Sequence, residues 1–239
     1  MLLAFQSALE SNTESLKERD IVVIASKAVS YSEGRLVNLG NPKSRRQCGT
    51  GEIRNTKFKE LIRQEADVVL EEGEMVITMK NKVLIPNAGI DNSNTPKGKV
   101  ILWPNDSFGS ARVLLEKLKG KFNLKELGVI ISDSHCQPLR MGTSGIAIGW
   151  AGFYGVQDVR GSKDLFDKKM TYTQIAMADD LASAANVLMG ETDAGVPFVI
   201  VRDAPVKFTD EEFSEEDYFI SPDECIYKSL YKEDFLRES

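Results

Sequence analysis

The sequence predicts an α+β fold on three observations. Short runs rich in Val and Ile recur along the chain, which is the pattern of buried strands. Helix-period segments lie between them, but two of the runs stand so close together that they read as a hairpin, which breaks the regular βαβ alternation of a doubly wound sheet. No G-x-G-x-x-G or P-loop spacing occurs among the 239 residues.

In chain order, the predicted strands are "IVVIA" from Ile21, "MVITM" from Met75, "KVLIP" from Lys82, "KVILW" from Lys99, "GVIIS" from Gly128 and "FVIVR" from Phe198. The second and third form the hairpin, turning near Asn81. Predicted helices cover Thr56 to Glu71, Ser107 to Lys119 and Thr171 to Met189. In the last, Ile175, Ala178, Leu181, Ala185 and Leu188 share one face, and Gly190 stands where a helix stops. "TGEIRNT" and "GFYGVQDVRGSKD" read as irregular connectors, and the acidic "TDEEFSEEDY" as a solvated segment.

The length allows one large domain or two modest lobes. Thirty basic against 36 acidic residues give a net charge of −6. Without a basic run to track a phosphate backbone, nucleic acid is excluded as a partner. No apolar stretch approaches the roughly 20 residues of a membrane span, and the first residues lack a basic n-region and a small-residue cleavage site. Those features predict a cytoplasmic protein with no membrane partner. Cys48, Cys136 and Cys225 are odd in number and far apart, which argues against a disulfide framework or a zinc cluster.

Several strands run directly into polar residues. "IVVIA" leads to Ser26 and Lys27, "KVLIP" to Asn87, Asp91 and Asn94, and "GVIIS" to Asp133 and Ser134. A lysine among carboxylates and small hydroxyls suits a metal-nucleotide site, because Mg²⁺ or Mn²⁺ takes oxygen ligands and the lysine offsets phosphate charge. Turn and capping roles account for the same residue types, so the spacing alone leaves both readings open. His135 is the only histidine, which rules out a multi-histidine metal site; it serves either as a general base or as a hydrogen-bonding, packing residue. Gly142, Gly145, Gly149 and Gly152 permit close backbone approach, to a ligand or to another strand.

"SKAVSYSEGR", "NAGIDNSN", "SDSHCQPLRMGTSGIAIGWAG" and "VRGSKDLFDKKMTYTQIAMADDLASAANVLMGETDAGVPFVIVR" occur in the order seen in the coenzyme F420:γ-glutamyl ligases, from about Asp20 to Arg202. The chain resembles that superfamily, whose enzymes use GTP and a divalent metal to join L-glutamate through its amine to a terminal carboxylate. The resemblance implies a homodimer and a two-lobed α+β fold with mixed and antiparallel sheets flanked by helices. The lobes are drawn as 1–50 plus 170–239 and 51–169, interwoven in one unit.

Carried over by position, the resemblance makes Asp91, Asp133, Ser134 and Glu191 metal ligands, with Glu191 standing where a glutamine is frequent. Ser26, Lys27 and Asn94 become nucleotide contacts, and Met189, Gly190, Thr192 and Gly195 belong to the loop that wraps the nucleotide. Lys27 is the catalytic lysine, and Arg140 is the candidate for gripping a substrate carboxylate, since a guanidinium holds one through two parallel hydrogen bonds.

Three departures accompany the resemblance. Tyr31 replaces a common lysine. The family opens with a strand and a Gly/Pro-containing loop near the nucleotide, whereas this sequence starts within the helix that follows. "SDSHCQPLR" differs from the deazaflavin pattern and resembles the folate γ-glutamate ligase subgroup, which also carries an extension like Asp203 to Ser239. His135 and Gln137 thereby become candidate acceptor contacts. The expected activity is NTP-dependent (GTP or ATP) and Mg²⁺- or Mn²⁺-dependent γ-glutamyl ligation onto a folate-type acceptor through an acyl phosphate. The alternative acceptor is coenzyme F420-0, and the alternative of another class is a nucleotide- and metal-binding regulatory protein with impaired catalysis. Trp150 and Phe153 are expected to supply buried area at a dimer interface.

Overall fold

A computed structural model describes residues 1–12, 14–40, 56–73 and 75–230. The chain opens with helix α1 (Leu2–Ser11), which buries Phe5 and Leu9, and then enters strand β1 (Ile21–Ala25). A short helix α2 (Ser26–Ser32) follows β1 without a break, and β2 (Leu36–Asn38) comes next. Helix α3 (Thr56–Glu65) leads into β3 (Val68–Glu72), β4 (Val76–Lys80), β5 (Val83–Pro86) and β6 (Lys99–Ile101). Helix α4 (Ser107–Phe122) precedes two long strands, β7 (Gly128–Cys136) and β8 (Thr143–Ala151). The short β9 (Gln157–Asp158) and β10 (Gln174–Ile175), helix α5 (Met177–Met189) and β11 (Phe198–Val201) complete the regular elements.

The central sheet has the order β11-β1-β7-β8. β1 pairs antiparallel with β11 and parallel with β7, and β7 pairs antiparallel with β8. Alternate side chains of β1 and β7 enter two different cores. Val22, Ile24, Val129 and Ile131 meet α1 and α4, while Ile21, Val23 and Ile130 meet α5 and the segment after β11. Burial on both faces is why these strands read as continuous Val/Ile runs rather than as alternating ones. Each such side chain contributes about 1.5–3 kcal/mol by leaving water.

A separate three-stranded sheet, β3-β4-β5, packs with α3 around Phe58, Ile62 and Val76. The β4–β5 hairpin turns at Asn81 and Lys82, both with positive φ, as expected from the sequence. The central sheet takes β1 and β11 from the stretches 1–50 and 170–239 and β7 and β8 from 51–169, while the division at 50 and the connector "TGEIRNT" up to Asn55 lie outside the described residues.

Several boundaries differ from the sequence reading. The helix expected from Thr56 to Glu71 ends at Glu65, because Val68 and Val69 pair with β4 instead. The helix expected from Thr171 starts at Met177, since Gln174 and Ile175 pair with β9. α4 runs three residues past Lys119 and stops at Asn123, whose left-handed φ of 55° terminates the helix.

The Gly-rich stretch is strand β8. A Cβ at Gly145 would stand 2.5 Å from the Ala182 carbonyl oxygen of α5, and one at Gly149 would stand 2.6 Å from the Ser107 backbone of α4. These glycines let two helices press onto the sheet. Trp150 and Phe153 are only 4% and 0% exposed within the chain's own core, so neither supplies a dimer surface, contrary to expectation. Among the described residues no helix is long and apolar enough to cross a membrane.

Candidate active site

The parallel pairing of β1 and β7 builds the site. Ala25 lies beside Ser132, so the residues that follow each strand, Ser26 and Lys27 on one side and Asp133 and Ser134 on the other, emerge at the same sheet end. Ser26 Oγ donates to Asp133 Oδ1 at 2.9 Å, and Trp103 Nε1 donates to Asp133 Oδ2 at 2.5 Å. Burial raises the Asp133 pKa, against the opposing pull of the Trp103 and Ser26 hydrogen bonds and the Lys27 charge.

The loop after β5 brings the next groups. Asn87, Ala88 and Gly89 all have positive φ, and a Cβ on Gly89 would lie 2.4 Å from the Trp103 indole. Glycine therefore seats this loop against the same tryptophan that holds Asp133. Two residues on, Asp91 exchanges backbone hydrogen bonds with Ile101, which fixes its side chain beside α2. Lys27 Nζ lies 2.6 Å from Asp91 Oδ2 and donates to Ser93 Oγ at 2.7 Å. Ser93 caps Asp91 through both its backbone N–H and its hydroxyl. Burial alone would raise the Asp91 pKa, but hydrogen bonds from Lys27 and Ser93 outweigh it and leave the pKa lowered.

The third contribution comes from the end of α5. Gly190 (φ 67°, ψ 173°) stops the helix and turns the chain so that Glu191 reaches β7 and β8. Its carboxylate accepts from Ser134 Oγ at 2.8 and 2.9 Å, from Thr143 Oγ1 at 3.0 Å and from Asn186 Nδ2 at 3.0 Å. Burial raises the Glu191 pKa, but hydrogen bonds from Asn186, Ser134 and Thr143 more than offset it, so the net shift is downward. Asn94 Nδ2 donates to the Thr192 carbonyl at 2.8 Å, while Tyr31 Oη donates to the Asn94 carbonyl at 3.0 Å. Tyr31 thus ties the Asn94 loop to α2, and Asn94 ties that loop to the segment after α5.

Between these groups lies a cleft of about 530 Å³, lined by Ser26, Lys27, Asn94, Asp133, Ser134 and the segment carrying Met189, Gly190, Glu191, Thr192 and Gly195. Asp91 joins it through its ion pair with Lys27. Arg140 is a candidate residue that the fold does not bring there. It lies exposed at the tip between β7 and β8, where its backbone N–H closes a turn onto Gln137. Sequence adjacency to Asp133 was misleading because an extended strand carries Arg140 away from the cleft. Trp103, Ser93, Thr143 and Asn186 were not among the predicted site residues. Ser93 lies within the polar "DNSN" cluster, but Thr143 in β8, Asn186 in α5 and Trp103 just after β6 take their roles only from tertiary contact.

Among the described residues, no three His, Cys, Asp or Glu side chains are grouped closely enough to hold a metal ion by themselves. The donor set is nevertheless made of oxygens, and Lys27 Nζ pairs with Asp91 within it at 2.6 Å. Oxygen donors are the ligand class that a hard divalent ion would take.

Comparison with known proteins identifies the family. The model of the F420-0:γ-glutamyl ligase family matches residues 3–203. The chain belongs to that family. Coenzyme F420:L-glutamate ligase of Methanocaldococcus jannaschii is 38% identical over 200 residues, covering 81% of this chain and 79% of the relative. The protein of the same name from Methanothermobacter thermautotrophicus is 36% identical over 206 residues, covering 83% and 81%. The one from Haloarcula marismortui is 32% identical over 228 residues, covering 91% and 87%. As a member of this ligase family the chain is an amide-forming enzyme.

Proposed function

We propose that this enzyme uses a nucleoside triphosphate and Mg²⁺ or Mn²⁺ to join L-glutamate to the terminal carboxylate of coenzyme F420-0. The observation that carries the reading is the convergence of Ser26, Lys27, Asn94, Asp133, Ser134 and Glu191 on one cleft at the end of two parallel strands. A carboxylate is a poor acyl donor. Its oxygen attacks the terminal phosphorus, the nucleoside diphosphate leaves, and an acyl phosphate forms. The glutamate amine then attacks the acyl carbon and loses a proton as inorganic phosphate departs.

When bound, the divalent ion neutralises phosphate oxygens during the transfer. Lys27 exchanges Asp91 for phosphate and supplies a second positive charge. Ser26, Asn94 and the Met189–Gly195 segment orient the nucleotide, with GTP or ATP as the cosubstrate. Asp91, Asp133, Ser134 and Glu191 present oxygen ligands.

The names of the relatives favour the deazaflavin acceptor over the folate expected from sequence. The residues behind the folate expectation also lie elsewhere. His135 lines a different pocket, with Leu84, Asp179 and Tyr218, and Gln137 donates to Ser144 on the exposed part of the hairpin. A homodimer belongs to the proposal; Leu139, Met141, Leu165 and Phe166 are highly exposed apolar residues that a second copy would cover. The test is mass spectrometry of reactions containing nucleotide, metal, L-glutamate and either F420-0 or tetrahydrofolate. A product one glutamate heavier with F420-0 is expected. Product with folate alone would overturn the acceptor, and phosphate release indifferent to glutamate would overturn ligation.

A further inference from the structure

The donors around Glu191 are distributed unequally. Oε1 accepts from Ser134 at 2.8 Å, Thr143 at 3.0 Å and Asn186 at 3.0 Å, whereas among the described residues Oε2 accepts from Ser134 alone, at 2.9 Å. The Ser134 hydroxyl has one proton to share between the two oxygens. Thr143 and Asn186 therefore saturate Oε1 and leave Oε2 with open lone-pair capacity.

The two donors reach Glu191 from different elements. Thr143 is the first residue of β8, and Asn186 lies in the last turn of α5, five residues before Glu191. With β8 on one side and α5 on the other, the carboxylate is fixed in rotation as well as position.

We propose that Thr143 and Asn186 are specificity-determining positioning residues that make Glu191 a one-oxygen metal ligand and so select Mg²⁺ and Mn²⁺ against Ca²⁺. Ca²⁺ takes six to eight oxygens and readily accepts both oxygens of one carboxylate, while Mg²⁺ requires an octahedron of shorter bonds and draws one oxygen from each ligand. A carboxylate whose second oxygen is occupied by donors satisfies the smaller ion and denies the larger one its preferred bidentate contact. This inference rests on the metal role proposed for Glu191.

The experiment measures Mn²⁺ binding to the full chain by electron paramagnetic resonance, with a non-hydrolysable nucleoside triphosphate present and Ca²⁺ added as competitor. In Thr143→Val combined with Asn186→Leu, Ca²⁺ should displace Mn²⁺ at about tenfold lower concentration relative to the unaltered protein, in line with the usual weight of groups that orient a ligand. Thr143→Ser keeps the hydroxyl and should retain the original preference. Circular dichroism melts of the same samples separate a selective change from loss of fold. An unchanged Ca²⁺/Mn²⁺ ratio in the folded double variant, with Glu191→Ala weakening Mn²⁺, would overturn the proposal and keep the metal role. Unchanged Mn²⁺ affinity in Glu191→Ala would overturn both.

Discussion

The β7–β8 hairpin separates two polar environments. On the cleft side every carboxylate has partners: Asp91 holds Lys27 and Ser93, Asp133 holds Ser26 and Trp103, and Glu191 holds Ser134, Thr143 and Asn186. In the core beneath the segment after β11, His135 Nδ1, Trp150 Nε1 and Tyr218 Oη are buried without a hydrogen-bond partner among the described residues. Burial raises Asp179 there despite a hydrogen bond from the Ala147 backbone, and lowers His135 despite a hydrogen bond with the Leu84 backbone. The cleft carboxylates are compensated by fixed donors, whereas the second region uses polar side chains for the apolar area they carry.

The largest break in this contrast should come from Asp133→Asn. The amide can keep Trp103 as donor and give its own proton to the Ser26 hydroxyl, so the fold survives while the proposed charged ligand is lost. Ligation should fall by about 10²–10³-fold, the usual weight of one preorganised electrostatic contact, as read by steady-state product formation beside a thermal melt. Near-normal turnover would remove Asp133 from the site. Lys27→Met should follow, weakening nucleotide binding about 10–100-fold, since a hydrogen bond to a charged group is worth about 1.5–3 kcal/mol. Isothermal titration with a non-hydrolysable nucleotide measures it, and an unchanged affinity would place the phosphates elsewhere.

Changes on the other side should leave catalysis alone and act on stability. Tyr218→Phe removes a buried hydroxyl that has no partner among the described residues and keeps the ring against Trp150, whose centroid lies 5.0 Å away. It should stabilise the protein by about 1 kcal/mol. A loss in urea unfolding would show that the hydroxyl is satisfied in solution.

Asp179 offers the smallest effect. Its folded pKa is raised, so the native state binds more protons than the unfolded chain above the ordinary value of 3.8. This contribution to stability is present at low pH and is lost as pH rises through the folded pKa. Asp133 is shifted in the same direction and adds to the slope. Asp179→Asn should therefore flatten, without abolishing, the decline in stability measured by urea midpoints over that window.

The strands were legible because β1, β7 and β11 are rich in Val and Ile and are covered on both faces. β8 was obscured by its glycines, whose purpose is contact with α4 and α5 rather than a turn. The overextended first helix shows the other weakness: Val68 and Val69 continue a helical apolar pattern, and only their pairing with β4 reveals a strand. At the site, charged and hydroxyl residues at strand ends were legible individually, and the resemblance to a known family ordered them. The contacts that fix them were not. Trp103 reads as the last apolar residue of a strand, yet its indole N–H holds Asp133, 30 positions away.

Transfer of ¹⁸O from a labelled acceptor carboxylate tests the central claim most directly. With F420-0 labelled at its terminal carboxylate, nucleotide, Mg²⁺ and L-glutamate, activation in this cleft requires one labelled oxygen to leave with the inorganic phosphate as the amide forms. One ¹⁸O per phosphate is expected at full label, released about 10²–10³-fold more slowly in Asp133→Asn. Amide formation accompanied by unlabelled phosphate would contradict it.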